Sequence, residues 1–132
     1  MKHLIFALLI IGAFSCKKEE NIECEKISYD TSFTAVVGQE YCVDDANYVV
    51  IDSVVNQLCP CNADCFWEGE FILKMSGMAS NNDFKYDLHT SSLIVDVQPF
   101  NDFIIQFESL SPDTCSAFTQ KDFRVRLMLE KD

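Results

Sequence analysis

The stretch WEGEFILKM, residues 67–75, decides the fold. Trp67, Gly69, Phe71, Leu73 and Met75 fall on one side, and Glu68, Glu70, Ile72 and Lys74 on the other. Successive Cβ atoms of a strand point to opposite faces of a sheet, so a period of two marks a strand with one buried and one wet face. The same period returns in DFRVRLMLE, residues 122–130. There Phe123, Val125, Leu127 and Leu129 alternate with Asp122, Arg124, Arg126, Met128 and Glu130. It returns again where Phe103, Ile105 and Phe107 oppose Ile104, Gln106 and Glu108. Fainter versions cover Phe33–Val37, Tyr48–Val55, Phe84–His89 and Leu93–Val97.

Turn-forming residues separate these segments: Asp44-Asp45-Ala46-Asn47, Ser80-Asn81-Asn82-Asp83, Pro99-Phe100-Asn101-Asp102 and Ser111-Pro112-Asp113. About seven short strands at such spacing predict an all-β chain, either an antiparallel β-sandwich (immunoglobulin-like) or a small β-barrel. The first strand is too short to close a barrel, which favours the sandwich. No amphipathic helix and no internal repeat is visible.

The chain opens MKHLIFALLIIGAFSCKKEE, residues 1–20. The apolar run Leu4–Phe14 falls short of the about 20 residues that a membrane-spanning helix needs, and fits the apolar region of a signal peptide. Ala13-Phe14-Ser15-Cys16 resembles the lipobox of bacterial lipoproteins. That resemblance implies cleavage before Cys16, diacylglycerol on its sulfur and an acyl chain such as palmitate on its new amino group. Two or more chains give stable anchoring where one is marginal. Lys17-Lys18-Glu19-Glu20 cannot bury itself and reads as a solvated tether. It also resembles the export tract that sends some Bacteroidota lipoproteins to the cell surface. The expected organisation is a lipoprotein signal peptide at 1–15, a lipidated cysteine and tether at 16–32, and a disulfide-stapled β-domain at 33–132, anchored at the outer membrane and facing outward.

Ten Lys and Arg against 21 Asp and Glu give a net charge of −11. Nucleic acid is a poor partner for such a field, since its binding depends on cations neutralising phosphates. Acidity of this kind keeps a surface protein soluble, and eleven phenylalanines argue for a packed core. Seven cysteines are an odd number, which in an exported protein suggests a free thiol or an intermolecular bond. The lipobox takes Cys16. Cys24, Cys42, Cys59, Cys61, Cys65 and Cys115 remain, an even set suited to disulfides in an oxidising compartment.

Three of the six lie in CPCNADCFWEG, residues 59–69. Zinc takes four thiolate or imidazole ligands, commonly in C-x2-4-C pairs; here the spacing is C-x-C-x3-C, and His89 is the one histidine left after His3 departs. A redox centre calls for C-x-x-C with a thiolate activated by a cation or helix start, and neither is visible. No metal or other cofactor is expected. A staple is the better reading. The run Cys59-Pro60, four residues, Cys65-Phe66-Trp67-Glu68-Gly69 resembles a motif of small exported bacterial β-domains: Cys-Pro, four residues, Cys, any residue, Trp, any residue, Gly, then an alternating strand. Gly38-Gln39 and Leu110-Ser111-Pro112 fit the same pattern, while Asn56-Gln57-Leu58 and the extra Cys61 depart from it.

The resemblance implies a Cys59–Cys65 bond. In an up-and-down meander the loops after Val55 and after Leu110 share one end, which brings Cys61 near Cys115 and leaves Cys24 for Cys42. Trp67 and Gly69 are then expected to anchor the loop to the sheet, with Trp67 in the core and its indole N–H paired.

Catalysis is hard to assemble from these residues. A nucleophile needs a base within hydrogen-bond reach, and His89 reads as a solvent-facing strand residue. Asp44-Asp45 read as solvated turn residues, and Asn81-Asn82-Asp83 as a hairpin rather than a calcium loop. The chain is therefore expected not to be an enzyme. One expectation is a binding module whose rigid loop, Pro60, Cys61, Asn62, Ala63 and Asp64, docks into a protein partner. Its sharpest form is a protease inhibitor, and in size, anchor and cysteines the chain resembles the potempin-type lipoprotein inhibitors. The alternative is a structural or accessory lipoprotein of a membrane complex, with Ile72 and Met128 as outward apolar hints.

Overall fold

The computed structural model describes residues 23–92, 94–96 and 102–131. The signal segment, Cys16, the Lys-Glu tract and most of the turn expected at Pro99–Asp102 lie outside them. The strands are β1 (Glu25–Lys26), β2 (Ser32–Ala35), β3 (Glu40–Asp44), β4 (Asn47–Asn56), β5 (Phe71–Ala79), β6 (Asn82–His89), β7 (Ile94–Asp96), β8 (Phe103–Ser111) and β9 (Arg124–Lys131). A 3-10 turn at Gln120–Asp122 precedes β9.

The strands form two sheets, ordered β1-β3-β4-β5-β6 and β2-β9-β8-β7. The arrangement is an open sandwich and does not close into a barrel. Among the described residues every pairing is antiparallel except that of β1 with β3. Going round the sandwich from β2 to β9, neighbours in space are neighbours in sequence, with the chain changing sheets after β2 and after β6. The connectivity is thus an up-and-down meander, distinct from the interleaved strand order of an immunoglobulin domain.

The alternating residues make the core. Phe71, Leu73, Met75 and Ala79 of β5 face Val125, Leu127 and Leu129 of β9 and Phe103 and Ile105 of β8, all buried. Rings lock the two sheets together: Phe71 meets Phe123 edge-on at 5.9 Å, and Phe84 meets Phe103 at 6.2 Å. Tyr41 is buried and its hydroxyl accepts the Val36 N–H at 3.0 Å, so the one polar atom of that ring is satisfied. The β5–β6 hairpin turns on Ser80 and Asn81, both at positive φ, as a tight two-residue turn requires. Asp44 ties the β3–β4 turn by accepting from the Ala46 N–H and the Asn47 side chain.

Two sequence expectations change here. The tether expected at 16–32 overlaps the fold: β1 pairs with β3, and Ile27 and Tyr29 pack against the core. Burying those two side chains removes the segment from solvent, so the fold begins before residue 33. The strand read from Trp67 begins only at Phe71, because Gly69 sits at φ +84° and breaks the extended run.

Candidate functional site

The meander puts the β4–β5 connection (57–70) and the β8–β9 connection (112–123) at the same end of the sandwich. The structure joins Cys59 to Cys65 and Cys61 to Cys115, with Cα atoms 5.9 and 5.3 Å apart. The first bond closes a ring within one loop. The second ties that ring to the other loop.

Below the ring the ladder of β4 and β5 continues. The Gln57 N–H donates to the Glu70 carbonyl and the Cys59 N–H to the Glu68 carbonyl, both at 2.9 Å. The Leu58 N–H donates to the Asn56 side chain, and the Ala63 N–H to the Pro60 carbonyl at 3.0 Å, which folds Pro60–Ala63 into a turn. Gly69 is essential to this closure. A Cβ on it would lie 2.1 Å from the Gln57 carbonyl oxygen and 2.6 Å from the Leu58 Cα, and its φ of +84° is one that side chains resist. Gly69 therefore anchors the loop by letting the two backbones approach.

Trp67 does not. It is 60% exposed, and no hydrogen-bond partner for its indole is found among the described residues. The backbone turn at Gly69 swings it out of the face that Phe71 and Leu73 continue. Phe66 is fully exposed to solvent. Pro60, Cys61, Asn62, Ala63 and Asp64 are exposed beside it. Phe118, on the partner loop, is the third large apolar side chain exposed among the described residues. It leans edge-on against Phe123 at 6.1 Å. A period of two places Trp67 on the buried face and gives Phe66 no role; the left-handed Gly69, two residues past Trp67, is the signal that separates both from the strand.

The second loop is held independently of its disulfide. The Gln120 side chain accepts from the Val54 N–H at 2.7 Å and donates to the Val54 carbonyl at 2.9 Å, clasping β4 just past the point where its register with β5 shifts. Asp122 accepts from the Thr119 N–H and hydroxyl, which holds its carboxyl below the usual range.

Beside the stapled loop lies a cleft of about 380 Å³, floored by Leu58, Phe71, Phe107 and Leu110 and edged by Glu70 and Glu108. Both carboxylates are already engaged. Glu70 bonds the His89 ring at 2.7 Å and the Ser91 hydroxyl at 2.9 Å, the two contacts that lower its pKa. Glu108 receives the Ser32 hydroxyl and the Arg126 guanidinium, which lower its pKa in that order. Half-exposed His89 is thus committed to a carboxylate, with no hydroxyl or thiol nucleophile bonded to it among the described residues. Nor do the described residues hold a group of three or more His, Cys, Asp and Glu arranged for a metal ion.

Comparison of the chain with protein-family models, with curated proteins and with solved structures finds no match.

Proposed function

We propose that the protein is a lipid-anchored, non-enzymatic binding module of the outer membrane, tethered through Cys16, whose stapled loop occupies a partner protein and in its sharpest form inhibits a protease. The observation that carries this reading is the exposure of Phe66 and Trp67 on a loop fixed by two disulfides and a backbone ladder. Aromatic side chains dominate binding energy at interfaces, and apolar groups displayed together on a monomer mark contact sites. A loop ordered on folding does not lose that entropy again on binding. The contact residues are Pro60, Cys61, Asn62, Ala63 and Asp64, extended by Phe66 and Trp67.

The test uses the full chain, oxidised and held in mild detergent. It is titrated against serine, cysteine and metalloproteases, alongside variants Asn62→Ala and Ala63→Asp. Inhibition of a protease that weakens in these variants supports the reading. Hydrolytic or reductive activity of the protein itself overturns it. Absence of any inhibition, with a stable membrane partner co-purifying, replaces the inhibitor with the accessory role.

A further inference from the structure

We infer that Phe66 is the residue that fills the partner's primary pocket, and that the partner is an endopeptidase whose pocket is an apolar slot accepting aromatic side chains. This deepens the inhibitor reading and rests on it.

The loop's shape leaves few choices for the pocket-filling residue. Pro60–Ala63 are folded into a hydrogen-bonded turn inside the Cys59–Cys65 ring, and Asn62, Ala63 and Asp64 are small. Phe66 is the first residue beyond the ring and projects completely into solvent, whereas Trp67 keeps part of its surface covered. Both flanks of Phe66 are pinned. Upstream, Cys65 is bonded to Cys59; downstream, Glu68 joins the β4–β5 ladder through its carbonyl. A side chain so held enters a pocket without prior ordering of the backbone that bears it.

Chemistry then selects the pocket. Pockets of serine endopeptidases divide into those with an aspartate at the base, which take Lys or Arg, apolar slots that take large rings, and small pockets that take short side chains. Residues 56–70 contain no Lys or Arg, and carry Asp64, Glu68 and Glu70. A pocket with a buried carboxylate would meet a phenyl ring it cannot pair, inside an acidic rim that repels it. A small pocket cannot admit the ring. The apolar slot matches Phe66, and Asp64 and Glu68 on either side favour an enzyme with cations around its cleft.

The experiment compares chymotrypsin, trypsin and elastase, representing the three pockets, using the full oxidised chain in mild detergent and a small chromogenic substrate for each. The expected inhibition constant is lowest for chymotrypsin. Phe66→Ala raises it roughly 30-fold or more, the scale of a hot-spot residue. Phe66→Tyr stays near the parent, and Phe66→Arg transfers inhibition to trypsin. Because Phe66 is fully exposed and outside the core, these variants retain the parent's unfolding midpoint, which is measured alongside. Inhibition confined to trypsin or elastase, or chymotrypsin inhibition indifferent to Phe66→Ala, overturns the pocket assignment while the inhibitor reading stands. Inhibition of cysteine or metalloproteases alone, indifferent to Phe66→Ala, does the same. Inhibition of no protease of any class removes both.

Discussion

Replacing Cys61 and Cys115 together by serine removes the covalent tie between the two loops, and the size of the loss follows from the chain length it spans. The two residues are 54 apart in sequence, against 18 for Cys24–Cys42 and 6 for Cys59–Cys65. If crosslinks act by restricting the unfolded chain, the long bond contributes about 4 kcal/mol, the middle one about 3 and the short ring about 2.4. Gln120 on Val54 and buried Phe123 still hold the second loop, so the double variant folds. Urea unfolding of the oxidised proteins measures the difference. With a slope of about 1.5 kcal/mol per molar, the midpoint falls by about 3 M, and the thermal midpoint falls by about 15 °C. The ring variant, Cys59→Ser with Cys65→Ser, loses less stability but frees Phe66. Equal stability of the long-bond variant and the parent would refute the reasoning, as would a larger loss from opening the short ring.

Three further outcomes are expected. Gly69→Ala forces a Cβ into the Gln57 carbonyl at a positive φ, destabilising the domain by about 1–3 kcal/mol in denaturant unfolding; a neutral result would show that the loop closes otherwise. Gln120→Ala leaves the N–H and carbonyl of buried Val54 without their clasp, and the same assay should register a loss of about 1–3 kcal/mol. Stability should also decline at both ends of the pH scale. Asp44, Glu70, Glu108 and Asp122 have carboxyl pKa values lowered by hydrogen bonds in the fold, so their contribution is complete above the ordinary carboxylate range and lost as pH falls through the lowered values. Burial raises the pKa of Tyr29, Tyr41 and Tyr48, so their contribution is complete below about 10 and lost as pH rises past it. Unfolding midpoints across a pH series that stay flat at either extreme would contradict this.

The strands of clean period were legible because each buries one face without interruption. Phe71 to Ala79 and Phe123 to Leu129 are the clearest cases. Elsewhere the pattern slips where the backbone does. In β3, Tyr41 and Cys42 are both buried in succession and the pairing with β4 shifts between Cys42 and Asp44, so Glu40–Asp44 shows no alternation to read. In β8 the shift between Phe107 and Ser109 moves the buried face from Phe103 and Ile105 to Leu110. The early segment was hidden for a different reason: Ile27 and Tyr29 are isolated apolar residues in a polar stretch, and only the partners they meet give them meaning. At the loop, cysteine arithmetic pointed to crosslinks, but no count of residues reveals a left-handed glycine. Gly69 alone turned Trp67 from an expected core residue into an exposed one.

Trp67 is the chain's single tryptophan, so its fluorescence tests the presented loop directly. In the folded, oxidised protein the account predicts emission near that of free indole in water, quenched by acrylamide about as readily as in the urea-unfolded chain. Blue-shifted emission shielded from acrylamide until the protein unfolds would place the indole in the core and contradict it.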